Sequence, residues 1–93
     1  MIKGFKCPET KKIWEGFFSK KLPSDIQQVA RRKLRMLNNA QNLNDLKIPP
    51  ANKLEALKDD RKGQCSIRIN NQWRLCFYWS DGDAFGLEIV DYH

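Results

Sequence analysis

The sequence predicts an α+β domain in which two N-terminal helices pack on one face of a small antiparallel sheet. Three observations carry that expectation. Apolar residues recur at helical spacing through residues 9–37, they alternate one by one from residue 64 onward, and turn-forming pairs separate the alternating runs. Helices gathered in the first half and strands in the second is the α+β order, not the interleaved order of a parallel sheet.

Ile2 to Lys6 alternates weakly and is expected as an edge strand. Pro8 stands where a first helical turn tolerates a missing N–H, so Glu9 through Lys20 is expected as a helix. Its Ile13, Trp14, Phe17 and Phe18 form an aromatic stripe expected to face the core. Leu22-Pro23-Ser24 breaks it. Ser24 is expected to cap the second helix, with Asp25 favourable near the positive end of the helix dipole. Ile26, Val29, Ala30, Leu34 and Leu37 mark the buried stripe of that helix. Arg31, Arg32 and Arg35, with Lys33 at the margin, charge its other side. Asn38-Asn39 ends it, and the short connection makes the two helices antiparallel neighbours.

Residues 41–52 are expected to be irregular, with one turn at Leu43 to Leu46 and an extended stretch at Pro49-Pro50. Lys53 to Lys58 is expected as a short strand, followed by the basic loop 58–63. Gln64 to Asn70 places Cys65, Ile67 and Ile69 on one face and Gln64, Ser66 and Arg68 on the other. Trp73 to Trp79 sets Trp73, Leu75, Phe77 and Trp79 against Arg74, Cys76 and Tyr78. Phe85, Leu87 and Ile89 are expected as the apolar face of the last strand. Asn70-Asn71 and Asp81-Gly82 turn the chain between them.

A one-residue slip in pairing reverses every side chain, so register follows from keeping the apolar faces uniform. Ile69 then pairs with Trp73, Ile67 with Leu75 and Cys65 with Phe77 through a three-residue loop, which sets Arg68 opposite Arg74. The same logic pairs Trp79 with Phe85, Phe77 with Leu87 and Leu75 with Ile89. It places Val90 opposite Arg74, with Tyr92 two residues further along that face.

Ninety-three residues are expected to form one domain, 1–93, with one modest core. No apolar run approaches the roughly 20 residues needed to cross a bilayer. Met1 to Lys6 lacks the apolar segment of a secretory signal. The expectation is a soluble cytoplasmic protein without membrane association. Cys7, Cys65 and Cys76 form no CxxC pair, and an odd count argues against a secreted disulfide framework. With one histidine and scattered thiols, neither a metal nor another cofactor is expected. Residues 1–47 hold 11 Lys/Arg against 4 Asp/Glu, and residues 48–93 hold 6 against 7. A basic half beside a nearly neutral one suits a polyanion or an acidic protein partner.

The chemistry concentrates in the second half. Two arginines directly opposite each other repel unless an anion lies between them, and guanidinium forks match phosphate oxygens; the alternative is that both splay into water or pair with Glu88. The basic loop residues Lys58, Arg61 and Lys62 are candidates to rim that patch and hold the substrate. Asp91-Tyr92-His93 sets a carboxylate, a phenol and the chain's single imidazole together at the end of the last strand. Cleaving RNA through its own 2′-oxygen needs a base, an acid for the leaving 5′-oxygen, and cations for the growing phosphorane charge. Glu55 or His93 is the candidate base, and His93 or Tyr92 the candidate acid. A plain solvated strand carboxylate is the alternative for Glu55.

The runs Pro50 to Lys58, Gly63 to Asn70, Gln72 to Phe77 and Glu88 to His93 resemble HigB-type toxins of the RelE/ParE toxin–antitoxin superfamily. The resemblance implies a microbial-ribonuclease-like RelE/ParE fold and ribosome-dependent cleavage of mRNA in the ribosomal A site. It also implies neutralisation by a HigA-like helix-turn-helix antitoxin, usually encoded beside the toxin. Family catalytic positions fall on Arg68, Arg74, Asp91, Tyr92 and His93, and some members carry a histidine where this chain has Glu55. Two other readings share the sequence features: a ParE-like inhibitor of DNA gyrase, and a noncatalytic nucleic-acid-binding module held by basic residues 20–35.

Overall fold

The computed structural model describes residues 1–91; Tyr92 and His93 lie outside the described residues. The first helix, α1 (Pro8–Trp14), stops at Trp14 instead of running to Lys20. Gly16 is the cause. It adopts φ +94°, its amide donates to the Ile13 carbonyl (3.1 Å), and the Phe17 amide reaches back to Lys12 (2.9 Å). These are the two bonds of a Schellman stop, which glycine makes without a Cβ clash. Phe17 and Phe18 therefore leave the expected core stripe and face solvent.

The connection to α2 (Ser24–Asn39) is closed by side chains of both helices. Buried Ser19 donates its amide to Gln27 Oε1 (2.9 Å), and Gln27 Nε2 donates to the carbonyls of Ser19 (2.7 Å) and Leu22 (2.9 Å). The Ser19 hydroxyl donates to the Glu9 carboxylate (2.6 Å). Pro23 occupies the cap position and no side chain caps the helix, so Ser24 begins α2 instead of capping it. Gln27 orders this end by binding the preceding loop.

The sheet order is β1 (Glu55–Ala56), β2 (Cys65–Arg68), β3 (Trp73–Ser80) and β4 (Asp83–Asp91), each antiparallel to its neighbour. Ile13 of α1 and Ile26, Ala30, Leu34 and Leu37 of α2 meet Ile67, Leu75, Phe77, Leu87 and Ile89 in the core. Burying each large aliphatic side chain contributes about 1.5–3 kcal/mol, which is what holds the helices on this face.

The β2–β3 register is the expected one: Cys65 with Phe77, Ile67 with Leu75 and Arg68 with Arg74. The amides of Ile69 and Asn70 both donate to the Trp73 carbonyl (2.9 and 3.2 Å), a bulge that closes the hairpin loop. Asn70 Oδ1 accepts from the amides of Gln72 and Trp73, each at 2.8 Å.

The β3–β4 register agrees at Arg74–Val90 and Leu75–Ile89, then departs. A one-residue shift between Cys76 and Tyr78 sets Phe77 against both Gly86 and Leu87, and Trp79 pairs with Ala84, not Phe85. Gly86 takes φ +59° at this bulge. Ala84 thereby enters the core and Phe85 turns outward, reversing the expected faces. Asp81 and Gly82, both at positive φ, close a two-residue hairpin turn matched to strand twist.

The expected N-terminal edge strand is two parallel bridges, Ile2–Ala84 and Phe5–Leu87, interrupted opposite the Gly86 bulge. It still covers the outer edge of β4, with Lys3 N–H donating to Ala84 (2.8 Å) and Lys6 N–H to Leu87 (2.9 Å). Between α2 and β1, 3₁₀ turns form at Leu43–Lys47 and Pro50–Asn52, and a third, Asp59–Arg61, joins β1 to β2. The first carries a capping box between Asn42 and Asp45. The expected strand over 53–58 shrinks to Glu55–Ala56.

Candidate active site

Alternation along the strands assembles the face turned away from the helices. One row crosses all four strands through Glu55, Ser66, Cys76 and Glu88, and the next holds Arg68, Arg74 and Val90. The two arginines that the sequence predicts as cross-strand partners are cross-strand partners on one face.

Arg74 is 8% exposed and held from several sides. Its Nε donates to Ser66 Oγ (2.7 Å), and its Nη2 donates to the Lys53 carbonyl (2.6 Å) and more weakly to the Ser66 carbonyl (3.4 Å). Glu55 Oε1 lies 3.8 Å from Nη2. The side chain thus stretches across β2 toward β1. Lys53 can present its carbonyl there because it sits in the left-handed region, φ +46°, at the end of the Pro50–Asn52 turn. Arg68 turns the other way, toward the hairpin loop, where its Nη2 bonds Asn71 Oδ1. Directing the two guanidinium groups apart relieves their repulsion.

Glu55 is 46% exposed in side chain, so its carboxylate meets both solvent and Arg74. Of the basic-loop residues, Lys58 and Lys62 are exposed, whereas Arg61 folds onto the sheet. Its Nη1 donates to Glu88 Oε1 (2.7 Å) and to Gln64 Oε1 (3.1 Å). Glu88 also faces Lys6 at 3.6 Å. The Glu88 hydrogen bond raises the Arg61 pKa above its ordinary value, so this guanidinium stays charged. Cys76, buried under this cluster, has its thiol pKa pushed up by burial, and so does Cys65. Both remain thiols, not thiolate nucleophiles.

The family model described as "RelE-like toxin of type II toxin-antitoxin system HigB" matches residues 5–93. The chain belongs to the HigB-like toxin family.

Among related sequences, Toxin HigB-1 of Vibrio cholerae is 51% identical over 63 residues, 68% of this chain and 66% of that protein. The chain therefore spans just under two thirds of that relative's length. Endoribonuclease HigB of Proteus vulgaris is 34% identical over the full length of both proteins. Among solved structures, YafQ from E. coli superposes with a TM-score of 0.67 at 16% identity, covering 98% of this chain and 91% of that one. The YoeB–YefM toxin–antitoxin complex from Staphylococcus aureus gives 0.61 at 19% identity, covering 100% and 98%. At such identities the structures share the fold.

In this HigB-like chain Asp91 pairs with Trp73, on the opposite side of the alternation from Arg74 and Val90. Its carboxylate accepts from Gln72 Nε2 at 3.0 Å. Arg74 and Glu55 are brought together, and Arg68 shares their sheet face with its guanidinium directed away; Asp91 is not placed on that face, and Tyr92 and His93 are outside the described residues.

Ser66 and Asn52 hold the site without a role expected from sequence, and Lys33, expected at the charged margin of α2, is buried instead. Ser66 grips Arg74, and its place beside Arg68 in the polar half of the alternation was the available signal. Asn52 is fully buried; it donates to the Leu46 carbonyl (3.0 Å), and its Oδ1 takes a hydrogen bond from Lys33. Lys33 is itself buried, and burial first, then Arg32 and Arg68, lowers its pKa. No pattern in residues 41–53 announces this Asn52 anchor.

Proposed function

We propose that this HigB-like toxin is an endoribonuclease, a single domain that cleaves mRNA in the translating ribosome at the arginine face of its sheet. The observation that carries the reading is the Arg68–Arg74 pair, with Arg74 immobilised by Ser66, Lys53 and Glu55. A guanidinium held in place before substrate arrives stabilises the charge that grows on the phosphate without reorganising during the reaction. Arg68 supplies the second cation, and Lys58 and Lys62 draw the RNA backbone to the face.

The 2′-oxygen attacks the adjacent phosphorus, the 5′-oxygen leaves, and protons must move at both. Glu55 or His93 takes the first proton, and His93 or Tyr92 delivers the second. Asp91, at the end of β4 with its carboxylate accepting from Gln72, completes the catalytic set with Tyr92 and His93. The curated relative named Endoribonuclease HigB supports the reaction class. We assign the toxin to the cytoplasm, with ribosome and mRNA as targets and a HigA-like helix-turn-helix antitoxin as its neutralising partner.

The test maps 5′ ends of transcripts after brief induction, with and without translation blocked, for the natural chain and for Arg74→Ala. Cleavage inside codons that vanishes with either treatment is expected. Loss of DNA supercoiling with intact messages would replace this reading by gyrase inhibition.

A further inference from the structure

Phe17 and Phe18 are 63% and 62% exposed, and nothing in the arginine-face chemistry uses them. They stand on a rigid knuckle: the Gly16 stop fixes one side, and buried Ser19, tied to Gln27 and Glu9, fixes the other. Aromatic groups displayed in one geometry lose little freedom on association. Arg31 joins the knuckle to α2, because its Nε donates (2.9 Å) to the same Ile13 carbonyl that accepts the Gly16 amide. From Arg31 the outward side of α2 carries an open cavity of about 430 Å³ lined by Gln28, Val29, Arg31, Arg32 and Arg35.

We propose that the Phe17–Phe18 knuckle and this arginine-lined cavity form the docking surface for the toxin's antitoxin, which engages it with an acidic segment bearing apolar side chains. Exposed Lys11, Lys12, Lys20 and Lys21 flank the phenylalanines along the chain, and exposed Arg32 and Arg35 line the cavity. Exposed Glu15 is the C-cap residue of α1, two residues before Phe17, and exposed Asp25 lies in the first turn of α2. These carboxylates repel a polyphosphate, which has no cations to offer, but pair with basic side chains of a protein. Mixed charge around apolar anchors therefore selects protein over RNA. The helices cover the opposite sheet face from Arg74, so an antitoxin docked here leaves the arginine face uncovered. The proposal rests on the toxin reading above for its biological consequence, but not for the binding itself.

The test uses the full-length toxin and the purified protein encoded beside it. Phe17→Ser/Phe18→Ser should melt like the natural chain, because both side chains lie outside the core. Its affinity for that protein should fall about 30-fold or more, as for lost aromatic anchors. It should still arrest growth, and co-expressed antitoxin should no longer relieve the arrest. Arg32→Glu/Arg35→Glu should weaken binding independently, and Arg74→Ala should bind unchanged. Natural affinity in the double phenylalanine variant overturns the proposal. So does a variant that loses only self-association or only RNA binding while holding the antitoxin normally. Persistent growth arrest by Arg74→Ala would instead sink the nuclease reading and leave the docking result standing.

Discussion

Arg74 Nε donates to Ser66 Oγ at 2.7 Å, with both residues buried on the face of the sheet that carries the second arginine. A hydrogen bond to a charged group contributes about 1.5–3 kcal/mol, and the same guanidinium is expected to meet the phosphate in the transition state. Ser66→Ala removes the bond without touching RNA. Its cleavage rate should drop about 10- to 100-fold at nearly unchanged KM, the range that energy spans. Ser66→Thr keeps the hydroxyl and should recover most of the rate. Single-turnover cleavage on programmed ribosomes measures both, and equal rates for Ala and the natural chain would refute a positioning role.

Arg61 and its neighbours Lys58 and Lys62 should separate by mechanism. Arg61 bonds Glu88 and Gln64, so Arg61→Ala leaves the partly buried Glu88 carboxylate only its longer contact with Lys6 and should destabilise the fold by about 1–3 kcal/mol in urea titration. Lys58→Ala, at an exposed position, should leave the urea midpoint in place. It should instead weaken RNA-dependent association and lower the salt slope by about one. Reversed behaviour of the two variants would place Arg61, not Lys58, on the RNA.

Gly86 should not tolerate a side chain. It sits at φ +59° in the β4 bulge, and a Cβ there would approach Tyr78 Cδ2 to 3.3 Å. Gly86→Ala adds left-handed strain and crowding, for an expected loss of about 1–2 kcal/mol. Gly4→Ala, with open space and no positive φ, is the control and should melt within a degree or so of the natural chain.

The Glu9 carboxylate should govern part of the acid limb of stability. The Ser19 hydroxyl, and secondarily Lys12, holds its pKa below the ordinary 4.5 in the folded state. The folded state therefore binds this proton less readily than the unfolded chain. Its stabilisation is present in full above pH 4.5 and is lost as pH falls through the lower folded value. Glu9→Gln should flatten the fall in melting temperature below pH 4.5, and an unchanged acid limb would remove Glu9 from that role.

Period-two patterning was enough to place Arg68 opposite Arg74, because any slip in the β2–β3 hairpin would have mixed polar and apolar faces. It failed one strand later. Phe85 is larger and more apolar than Ala84, so alternation assigned Phe85 inward, and a single extra residue at Gly86 reversed both. The helical spacing of Trp14, Phe17 and Phe18 likewise masked the glycine that ends α1.

From the sequence alone came the α+β order, the two helices, the hairpin turns, and the pairing that sets Arg68 opposite Arg74 on one surface, because periodicity and turn chemistry are local properties. Tertiary structure decided what each guanidinium grips. The Lys53 carbonyl, the Ser66 hydroxyl and the Glu88 partner of Arg61 come from distant segments, and their meeting depends on how β1 and the basic loop close over the sheet. It also decided that Phe17 and Phe18 stay outside, since burial depends on where the whole chain leaves room and not on the spacing of apolar residues.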